Sequence, residues 1–309
     1  MPTFPLFLWR NRRHIGVVYA CSEPVLMTTI YYAFWTRLFG KKLALFTWEN
    51  FSYTEKFRNI SRFVHGVLLR INLALAHGLM CGNRESADIH RRLTRHPIRI
   101  IPMNGLETEK FRLDTRAGEH RTNLSSKVVY AFAGAIGERK GIHILLKAYS
   151  EVLRLIPDTH LVIAGSGEYE DRISALIDEL SIGEHVTRLQ WINHHELVRL
   201  LSVTDVFVYP SLPYKGWAEQ FGYSMAEASL MELPVISTRS GSIPDLVKDG
   251  QTGILVPPGD TQALADAMIK LGINGDLRRR LGQAGRAYIS ATYSNDIVAR
   301  KMYDFLQSL

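Results

Sequence analysis

Short apolar runs alternate with segments of helical periodicity along the chain. In the first half, the helical segments predict an aromatic-rich helix at 24–39, a long helix from about 54 to 76 and a helix at 83–95 that Asn83 opens. The apolar runs predict a buried strand at 15–21 and further strands at 43–47, 78–81 and 98–101. Strands that alternate with helices in this way predict a parallel sheet with helices on its faces.

The second half repeats this alternation after a polar stretch at 112–126, which we predict to be an interdomain linker. Apolar runs predict strands at 128–134, 161–165, 186–191, 205–209 and 234–236, with one more strand inside 249–260. Helical patterns predict helices at 142–156, 168–180, 194–202, 223–232, 261–272, 275–290 and 294–307. The whole pattern predicts an α/β fold.

The stretch 210–237 places two glutamates around the start of a predicted helix. Glu219 precedes the helix and Glu227 lies about one and a half turns inside it, with Phe221 and Gly222 between them. Glycine at a helix mouth lets backbone N–H groups approach a phosphate, whose charge the helix N-terminus favours. A carboxylate accepts hydrogen bonds from vicinal hydroxyls, so Glu219 is a candidate to bind a hexose and Glu227 a ribose. The stretch therefore predicts recognition of a sugar nucleotide.

This stretch, W-A-E-Q-F-G-Y followed by P-V-I, resembles the E-x7-E signature of retaining glycosyltransferases of the GT-B fold, family 4. The resemblance covers about 15–309, closely over 128–260 and more loosely before it. Further similar segments are P-M-N-G-L-E-T-E-K-F (102–111), A-G-A-I-G-E-R-K-G (133–141), G-S-G-E (165–168) and G-S-I-P-D-L-V (241–247).

The resemblance implies two Rossmann-like domains that face a cleft. We expect a partial N-terminal acceptor-side domain at 1–121, a nucleotide-sugar-binding domain at 122–292 and a last helix at 293–309 that crosses back to the first domain. The opening strand and glycine-rich loop of a complete first domain, with two further βα units, are expected to be absent. A fragment, a start assigned too late and a separate chain that supplies the rest are explanations that stay open.

The resemblance also implies a donor site, in which we predict Lys140 and Glu219 to be the catalytic residues. Negative charge grows on the leaving phosphate as the glycosidic bond breaks, and a fixed ammonium such as that of Lys140 stabilises it. Ala135 stands where arginine is usual, and Arg139 is the candidate to compensate. The remaining donor-binding candidates are Trp191 and Ile192 at the nucleobase, Phe221 and Gly222 at the diphosphate, and Gln220.

The loop W-E-N-F (48–51) occupies the place where many family members carry a histidine near the reacting sugar. Glu49 and Asn50 are candidates to contact the donor sugar or an acceptor hydroxyl, although Asn50 could equally serve only to shape the turn. The resemblance implies a diphosphate site without a bound metal, no suitable Asp-x-Asp is present, and no metal-type spacing surrounds His194 and His195. We therefore predict no metal and no cofactor besides the nucleotide diphosphate sugar, which is a co-substrate.

Each motif also has a structural interpretation. In an ordinary βα unit Glu219 would be solvated and Glu227 would pair with a neighbouring cation, and Lys140 would be a surface cation of a helix N-terminal turn. Trp191 could be a core residue, and Asn193 could be a helix N-cap. The G-S-G-E turn lacks the third glycine of a dinucleotide fingerprint, which excludes binding of the NAD type.

The predicted function is transfer of a hexose, with retention, to a lipid-linked or polysaccharide acceptor. One alternative is a truncated pseudoenzyme, or half of a split transferase, that binds nucleotide sugar without turnover. A sugar-nucleotide epimerase of the same fold is another alternative, which the glutamate arrangement fits less well.

Composition and charge add a candidate partner. The chain is 46% hydrophobic and 22% charged, which is typical of a globular protein. Residues 1–121 contain 19 Lys and Arg against 9 Asp and Glu, whereas 122–309 contain 18 against 21. The basic half is rich in aromatic residues and carries no nucleic-acid motif, so an anionic membrane surface is its candidate partner, and a solvated basic surface is the alternative.

The same composition bears on location. Cys21 and Cys81 form no CxxC, which favours a reducing compartment. No apolar run approaches the ~20 residues that span a bilayer, and residues 1–13 carry their apolar residues before their basic cluster, the reverse of a signal peptide. We therefore predict a cytoplasmic protein, peripheral at the inner face of the cell membrane.

Overall fold

A computed structural model describes residues 3–111 and 127–309, so the predicted linker at 112–126 lies outside the described residues. The chain forms two compact units. The first unit consists of Met1–Gly105, Lys215–Phe221 and Asn295–Leu309, and the second consists of Leu106–Tyr214 and Gly222–Ser294. Each unit contains its own parallel sheet, as the alternating pattern predicts.

The first unit is built on four parallel strands in the order β1-β2-β3-β4. These strands are β1 (Val17–Ala20), β2 (Lys42–Thr47), β3 (Gly78–Cys81) and β4 (Ile98–Ile100). The helices before and between them are Thr3–Arg10, Met27–Leu38, Tyr53–Lys56, Asn59–Leu75 and Arg84–Arg91. Successive residues of β2 point to opposite faces, so Leu43 and Leu45 pack with the helices at Leu69 and Leu73.

The other face of this sheet is covered by the last helix of the chain. Val298 and Phe305 of the helix Asn295–Gln307 are buried with Phe46 of β2 and Met80 of β3. The helix therefore shares the core of the first unit although it ends the chain.

The predicted helix at 54–76 is wrong, because the structure divides it into two helices. Ser52 and Glu55 form a capping box that starts a one-turn helix, Tyr53–Lys56. Phe57 and Arg58 are extended, and the second helix then runs over Asn59–Leu75. The helical pattern therefore continues across a break in the backbone at Phe57 and Arg58.

The second unit is built on six parallel strands in the order β10-β9-β8-β5-β6-β7. These strands are β5 (Val128–Ala133), β6 (Thr159–Ala164), β7 (Val186–Leu189), β8 (Val206–Tyr209), β9 (Val235–Thr238) and β10 (Gly253–Val256). The helices are Ile142–Leu155, Glu170–Glu179, His194–Val203, Tyr223–Leu230, Ile243–Leu246, Thr261–Ile273 and Gly275–Tyr293. The strand order reverses between β5 and β8, and ligands of such sheets bind at the carboxyl ends of the strands next to this switch point.

Two chain segments belong to units other than those expected from the predicted domains. The segment Lys215–Phe221 lies inside the predicted second domain but packs in the first unit, because side chains of the first unit hold its backbone. Leu106 lies inside the predicted first domain but belongs to the second unit, where its N–H donates to the Tyr293 carbonyl over 2.8 Å. The boundaries at 121 and 292 stay predictions, since the chain between the sheets is only partly described.

Among the described residues, no helix combines the length and the apolar character that crossing a bilayer requires.

Candidate functional site

The turn after β5 is fixed against the end of β8. Gly141 has φ of +69°, and a Cβ at this position would collide with the carbonyl oxygen of Pro210. The Arg139 carbonyl accepts a hydrogen bond of 2.8 Å from the Leu212 N–H. Only glycine satisfies both the left-handed backbone and the close approach, so the sequence Lys140-Gly141 sets the position of the lysine.

Lys140 is buried at this turn, with 6% of its surface exposed. Its Nζ donates a hydrogen bond to Tyr209 Oη and lies 4.8 Å from the centre of the Tyr209 ring. Hydroxyl and ring face both favour a cation. The interpretation of Lys140 as a surface cation is therefore wrong. Sequence reasoning missed Tyr209, which its place at the carboxyl end of a strand next to β5 could have indicated.

A pocket of about 300 Å³ lies at the carboxyl ends of β5, β6 and β7. It is lined by Ala133, Gly134, Ala135, Ala164, Gly165, Ser166, Trp191, Ile192, Leu197 and Ser224. Because glycine has no side chain and alanine has only a methyl group, backbone groups at these positions can come close to a ligand. The pocket is thus a concave site in the place where doubly wound sheets bind ligands.

Trp191 and Ile192 both line this pocket, and their predicted contact with a nucleobase stays a prediction. Trp191 has 75% of its surface exposed, so its interpretation as a core residue is wrong. The backbone N–H of Trp191 donates over 3.1 Å to Ser166 Oγ, and this hydrogen bond joins the loop after β7 to the loop after β6. Asn193 caps the following helix by accepting from the Glu196 N–H over 3.1 Å, which confirms its predicted N-cap role.

The helix Tyr223–Leu230 begins at the pocket. Gly222 precedes it with φ of +86°, a conformation that favours glycine, and accepts from the Met225 N–H over 3.1 Å. Ser224, in the first turn, lines the pocket. The positive end of a helix therefore faces the space where an anionic ligand group would bind.

Glu227 lies in this helix and is partly buried. Burial raises the pKa of its carboxyl from 4.5 to about 7. Among the described residues no cation contributes to this shift, so the interpretation as an ion-paired glutamate lacks its partner. Glu227 is therefore a carboxylate that changes charge near neutral pH.

Glu219 belongs to the first unit, in the segment Lys215–Phe221. It is buried, with 7% of its surface exposed, so its interpretation as a solvated residue is wrong. Asn50 donates from Nδ2 to the carbonyls of Ala218 (3.1 Å) and Glu219 (3.3 Å). Asn50 thus holds the backbone that carries Glu219.

Two further amides hold the same segment. The Gln220 side chain donates from Nε2 to the Trp48 backbone carbonyl over 3.4 Å. The backbone carbonyl of Gln220 accepts a hydrogen bond of 3.1 Å from Asn83 Nδ2. The rings of Trp48 and Phe221 are 6.0 Å apart. Hydrogen bonds on both sides and an aromatic contact therefore fix the segment Lys215–Phe221 in the first unit. Sequence reasoning missed the role of Asn83 in this network.

Glu49 is buried and forms an ion pair with Lys56. Glu23, which sequence reasoning missed, accepts hydrogen bonds from Thr47 Oγ1 (2.5 Å) and from the Trp48 N–H (2.9 Å). Burial is the main cause that raises the pKa of the Glu23 carboxyl. Both carboxylates lie at the carboxyl end of the first sheet, where Glu23 holds the loop that contains Glu49 and Asn50.

The predicted site residues thus form three groups. The first, in the second unit, is the pocket with Trp191, Ile192 and the start of the helix at Gly222. The second is Lys140 with Tyr209, next to Arg139, in the same unit. The third belongs to the first unit and contains Glu49, Asn50, Glu219, Gln220 and Phe221.

Residues 118–288 match the family Glycosyl transferases group 1. The chain belongs to this family. The match covers the segments that contain Lys140, Trp191, Glu219 and Glu227. Membership confirms the resemblance to GT-B glycosyltransferases, whereas retention, assignment to family 4 and truncation of the chain stay predictions.

Curated relatives of this group 1 chain are glycosyltransferases. It is 30% identical over 208 residues to the GDP-mannose-dependent alpha-(1-6)-phosphatidylinositol monomannoside mannosyltransferase of Mycobacterium tuberculosis. This match covers 66% of this chain and 54% of the relative. It is 29% identical over 197 residues to the capsular polysaccharide biosynthesis glycosyltransferase CapM of Staphylococcus aureus. This match covers 63% of this chain and 50% of CapM. The chain spans about half the length of the curated relatives it matches.

Solved structures confirm the predicted GT-B fold. HepE of Anabaena in complex with UDP superposes with a TM-score of 0.85 at 18% identity, over 100% of this chain and 82% of HepE. Sucrose-phosphate synthase of Thermosynechococcus elongatus superposes with a TM-score of 0.79 at 21% identity. The superposition covers 99% of this chain and 77% of the synthase. At this identity the likeness shows the α/β fold with Rossmann-like domains alone.

Proposed function

We propose that the protein transfers a hexose from a nucleotide diphosphate sugar to a hydroxyl group of a saccharide or lipid-linked acceptor, with retention at the anomeric carbon. The observation that carries this proposal is the pocket at the carboxyl ends of β5, β6 and β7 in a group 1 second unit, where an exposed tryptophan and a helix start occur together. A flat heterocycle suits the tryptophan, and a phosphate suits the helix start.

The leaving group would be stabilised by Lys140. When the glycosidic bond breaks, negative charge develops on the diphosphate, and a cation that is already in place costs no reorganisation. Tyr209 and the Gly141 turn fix the ammonium before any substrate binds. Arg139 on the same turn is the second cation for this role, and the backbone at Phe221 and Gly222 would add N–H donors.

Donor recognition would use the two glutamates for different hydroxyls. Glu227, once ionised, would accept hydrogen bonds from a ribose, and Glu219 would accept them from the hexose. Asn50 and Gln220 support Glu219 by fixing its backbone. Trp191 would contact the nucleobase, with Ile192 as its apolar neighbour.

Acceptor class and location follow the relatives. The names of two relatives include a phosphatidylinositol monomannoside and a capsular polysaccharide. We propose a lipid-linked or polysaccharide acceptor for this chain, and transfer at the cytoplasmic face of the membrane. Because a fixed lysine would neutralise the leaving group, we propose transfer without a resident metal.

The test is a panel of UDP- and GDP-hexoses added to the full chain, followed by thermal unfolding and by product analysis with oligosaccharide and lipid-linked acceptors. We expect one donor to raise the midpoint of unfolding and to give a product whose anomeric configuration, measured by NMR, equals that of the donor. Stabilisation without product would favour the alternative that binds donor without turnover. Absence of stabilisation by every donor would overturn the proposal.

A further inference from the structure

The helix Asn59–Leu75 is apolar on two opposite faces, and only one of them is buried. Its core side consists of Gly66, Leu68, Leu69, Asn72 and Leu73. Its outer side exposes Ile60 (81%), Phe63 (74%), Val64 (41%), Val67 (37%) and Ile71 (41%). Spacings of three, four and seven residues place these five side chains on one stripe. A surface helix normally keeps this stripe polar, so the outer face is built for contact.

Neighbouring helices extend the apolar surface. The helix Met27–Leu38 packs against Asn59–Leu75 and exposes Phe34 (52%) and Leu38 (62%). The helix Thr3–Arg10 packs against Met27–Leu38, with the Phe4 and Tyr32 rings 5.0 Å apart, and itself exposes Leu6, Phe7 and Trp9.

The concentration of these side chains is specific to this part of the chain. Of the eighteen exposed large apolar side chains among the described residues, twelve lie between residues 3 and 75. Scattered single residues need no explanation, but a cluster of this kind marks an interaction surface.

The charge around this surface has one sign. Residues 1–84 contain eleven Lys and Arg and three Glu, a formal net charge of +8. Glu23 and Glu49 are largely buried, and Glu49 pairs with Lys56, which leaves Glu55 as the acidic side chain exposed to solvent among residues 3–84. Arg58 precedes the helix Asn59–Leu75, Arg62 and Arg70 lie within it, and all three are exposed.

We propose that the outer faces of the helices Thr3–Arg10, Met27–Leu38 and Asn59–Leu75, here called the apolar-basic face, bind the surface of an anionic lipid bilayer. Apolar side chains would enter the boundary between headgroups and acyl chains, while the arginines pair with lipid phosphates. The guanidinium of Arg12 lies 5.3 Å from the centre of the Trp9 ring, a pair that suits this boundary.

The charge decides between a bilayer and a second copy of the chain. Two copies that met through the apolar-basic face would bring two regions of +8 together, with only Glu55 on each side to offset them. Anionic lipids neutralise the same charge. The inference goes beyond the proposed function, because it requires neither donor nor turnover.

The experiment is co-sedimentation of the full chain with vesicles of phosphatidylcholine alone and of phosphatidylcholine mixed with phosphatidylglycerol. We expect binding to the mixed vesicles that weakens as salt is raised. The double variant Phe63→Ser, Val67→Ser should bind them about tenfold more weakly. The matched control Leu155→Ser, Ile273→Ser changes exposed apolar residues of the second unit and should bind as the original chain does.

A second variant tests the charges without touching the apolar stripe. Arg62→Gln with Arg70→Gln should weaken binding to the mixed vesicles about 30-fold, from about 1 kcal/mol for each arginine. Folding of each variant is checked by circular dichroism. The inference is overturned if the original chain ignores anionic vesicles, or if the Phe63, Val67 variant binds as tightly as its control. A dimer in solution that the Phe63, Val67 variant abolishes, without vesicle binding, would assign the face to a second copy instead.

Discussion

Lys140 and Glu227 are both withdrawn from water, but they have different neighbours. Tyr209 gives the Lys140 ammonium a hydroxyl acceptor and a ring face. Glu227 meets burial without a compensating cation among the described residues, which favours the neutral form. Tyr209 thus fixes the position of Lys140, whereas Glu227 gains its charge only near neutral pH.

Replacing Lys140 should affect chemistry more than binding. Because its charge matters most when the phosphate leaves, Lys140→Ala should lower kcat about 100-fold or more while the donor Kd changes less. Steady-state kinetics and a donor titration measure the two effects. Lys147→Ala, an exposed lysine of the next helix, is the control and should leave both unchanged. Normal turnover of Lys140→Ala would remove the lysine from the proposed mechanism.

The raised pKa of Glu227 predicts a pH dependence of stability. The folded chain binds this proton more tightly than the unfolded chain, so the stability from Glu227 is complete below pH 4.5 and is lost as pH rises through about 7. The loss amounts to about 3 kcal/mol. The Glu227→Gln variant cannot ionise at this position and does not suffer this loss. Its free energy of unfolding in urea should therefore exceed that of the original chain at pH 8 but not at pH 4.5.

The control for this prediction is Glu184→Gln, because Glu184 is exposed. Its stability should follow the original chain at every pH. If the free energies of unfolding of Glu227→Gln and of the original chain changed with pH in parallel, the ionisation of buried Glu227 would not affect stability.

Donor affinity should follow the same ionisation. Glu227→Ala should weaken nucleotide binding by about 1–3 kcal/mol at pH 8, where the carboxylate is charged. In the original chain the affinity should fall as pH drops below about 7, and calorimetric titrations at several pH values measure this. A pH-independent affinity, equal in the variant, would place the ribose elsewhere.

At the scale of elements, hydrophobic periodicity predicted most of the strands and helices that the structure contains. It placed β5 within one residue at each end, because an apolar run between polar flanks leaves little choice. It could not predict the break at Phe57, since the helical pattern continues through that residue.

The site shows the same limit. Short motifs indicated Lys140 and Trp191, because glycine turns and strand ends are visible in the sequence. The contact of Lys140 with Tyr209 joins residues 69 positions apart, and the hydrogen bond from Asn50 to Ala218 joins residues 168 apart. Such pairings depend on sheet topology, which the sequence pattern does not specify.

The segment Lys215–Phe221 offers an element-scale prediction. Asn50→Ala removes two buried hydrogen bonds to this segment, which should loosen it and expose the Lys215 peptide bond to trypsin. Cleavage there should accelerate about tenfold, measured by mass spectrometry of timed digests. Asn193→Ala, which removes a helix cap in the second unit, is the control and should not accelerate it. Equal rates would mean that Asn50 does not hold the segment.

At the scale of the whole molecule, the two units have separate cores and carry separate roles in the proposal. The second unit contains the pocket, and the first contains the apolar-basic face. The difference in charge between the two halves of the chain follows the same division.

Hydrogen exchange should separate these roles. A nucleoside diphosphate without a sugar should protect amides around Ala133–Ala135, Gly165, Trp191 and the start of Tyr223–Leu230, and leave the first unit largely unchanged. Exchange followed by mass spectrometry, with and without the nucleotide, measures this. Protection concentrated in the first unit would contradict the assignment of the pocket.

The chain passes between the two units at four points, 105–106, 214–215, 221–222 and 294–295. A single cut therefore does not release either half intact, since the first would lose both Lys215–Phe221 and its closing helix. Chimeras meant to exchange sugar specificity with another group 1 protein must graft the second unit as two pieces. In them, residues 215–221 must come from the same protein as Asn50 and Asn83, or the loop will lose its anchors.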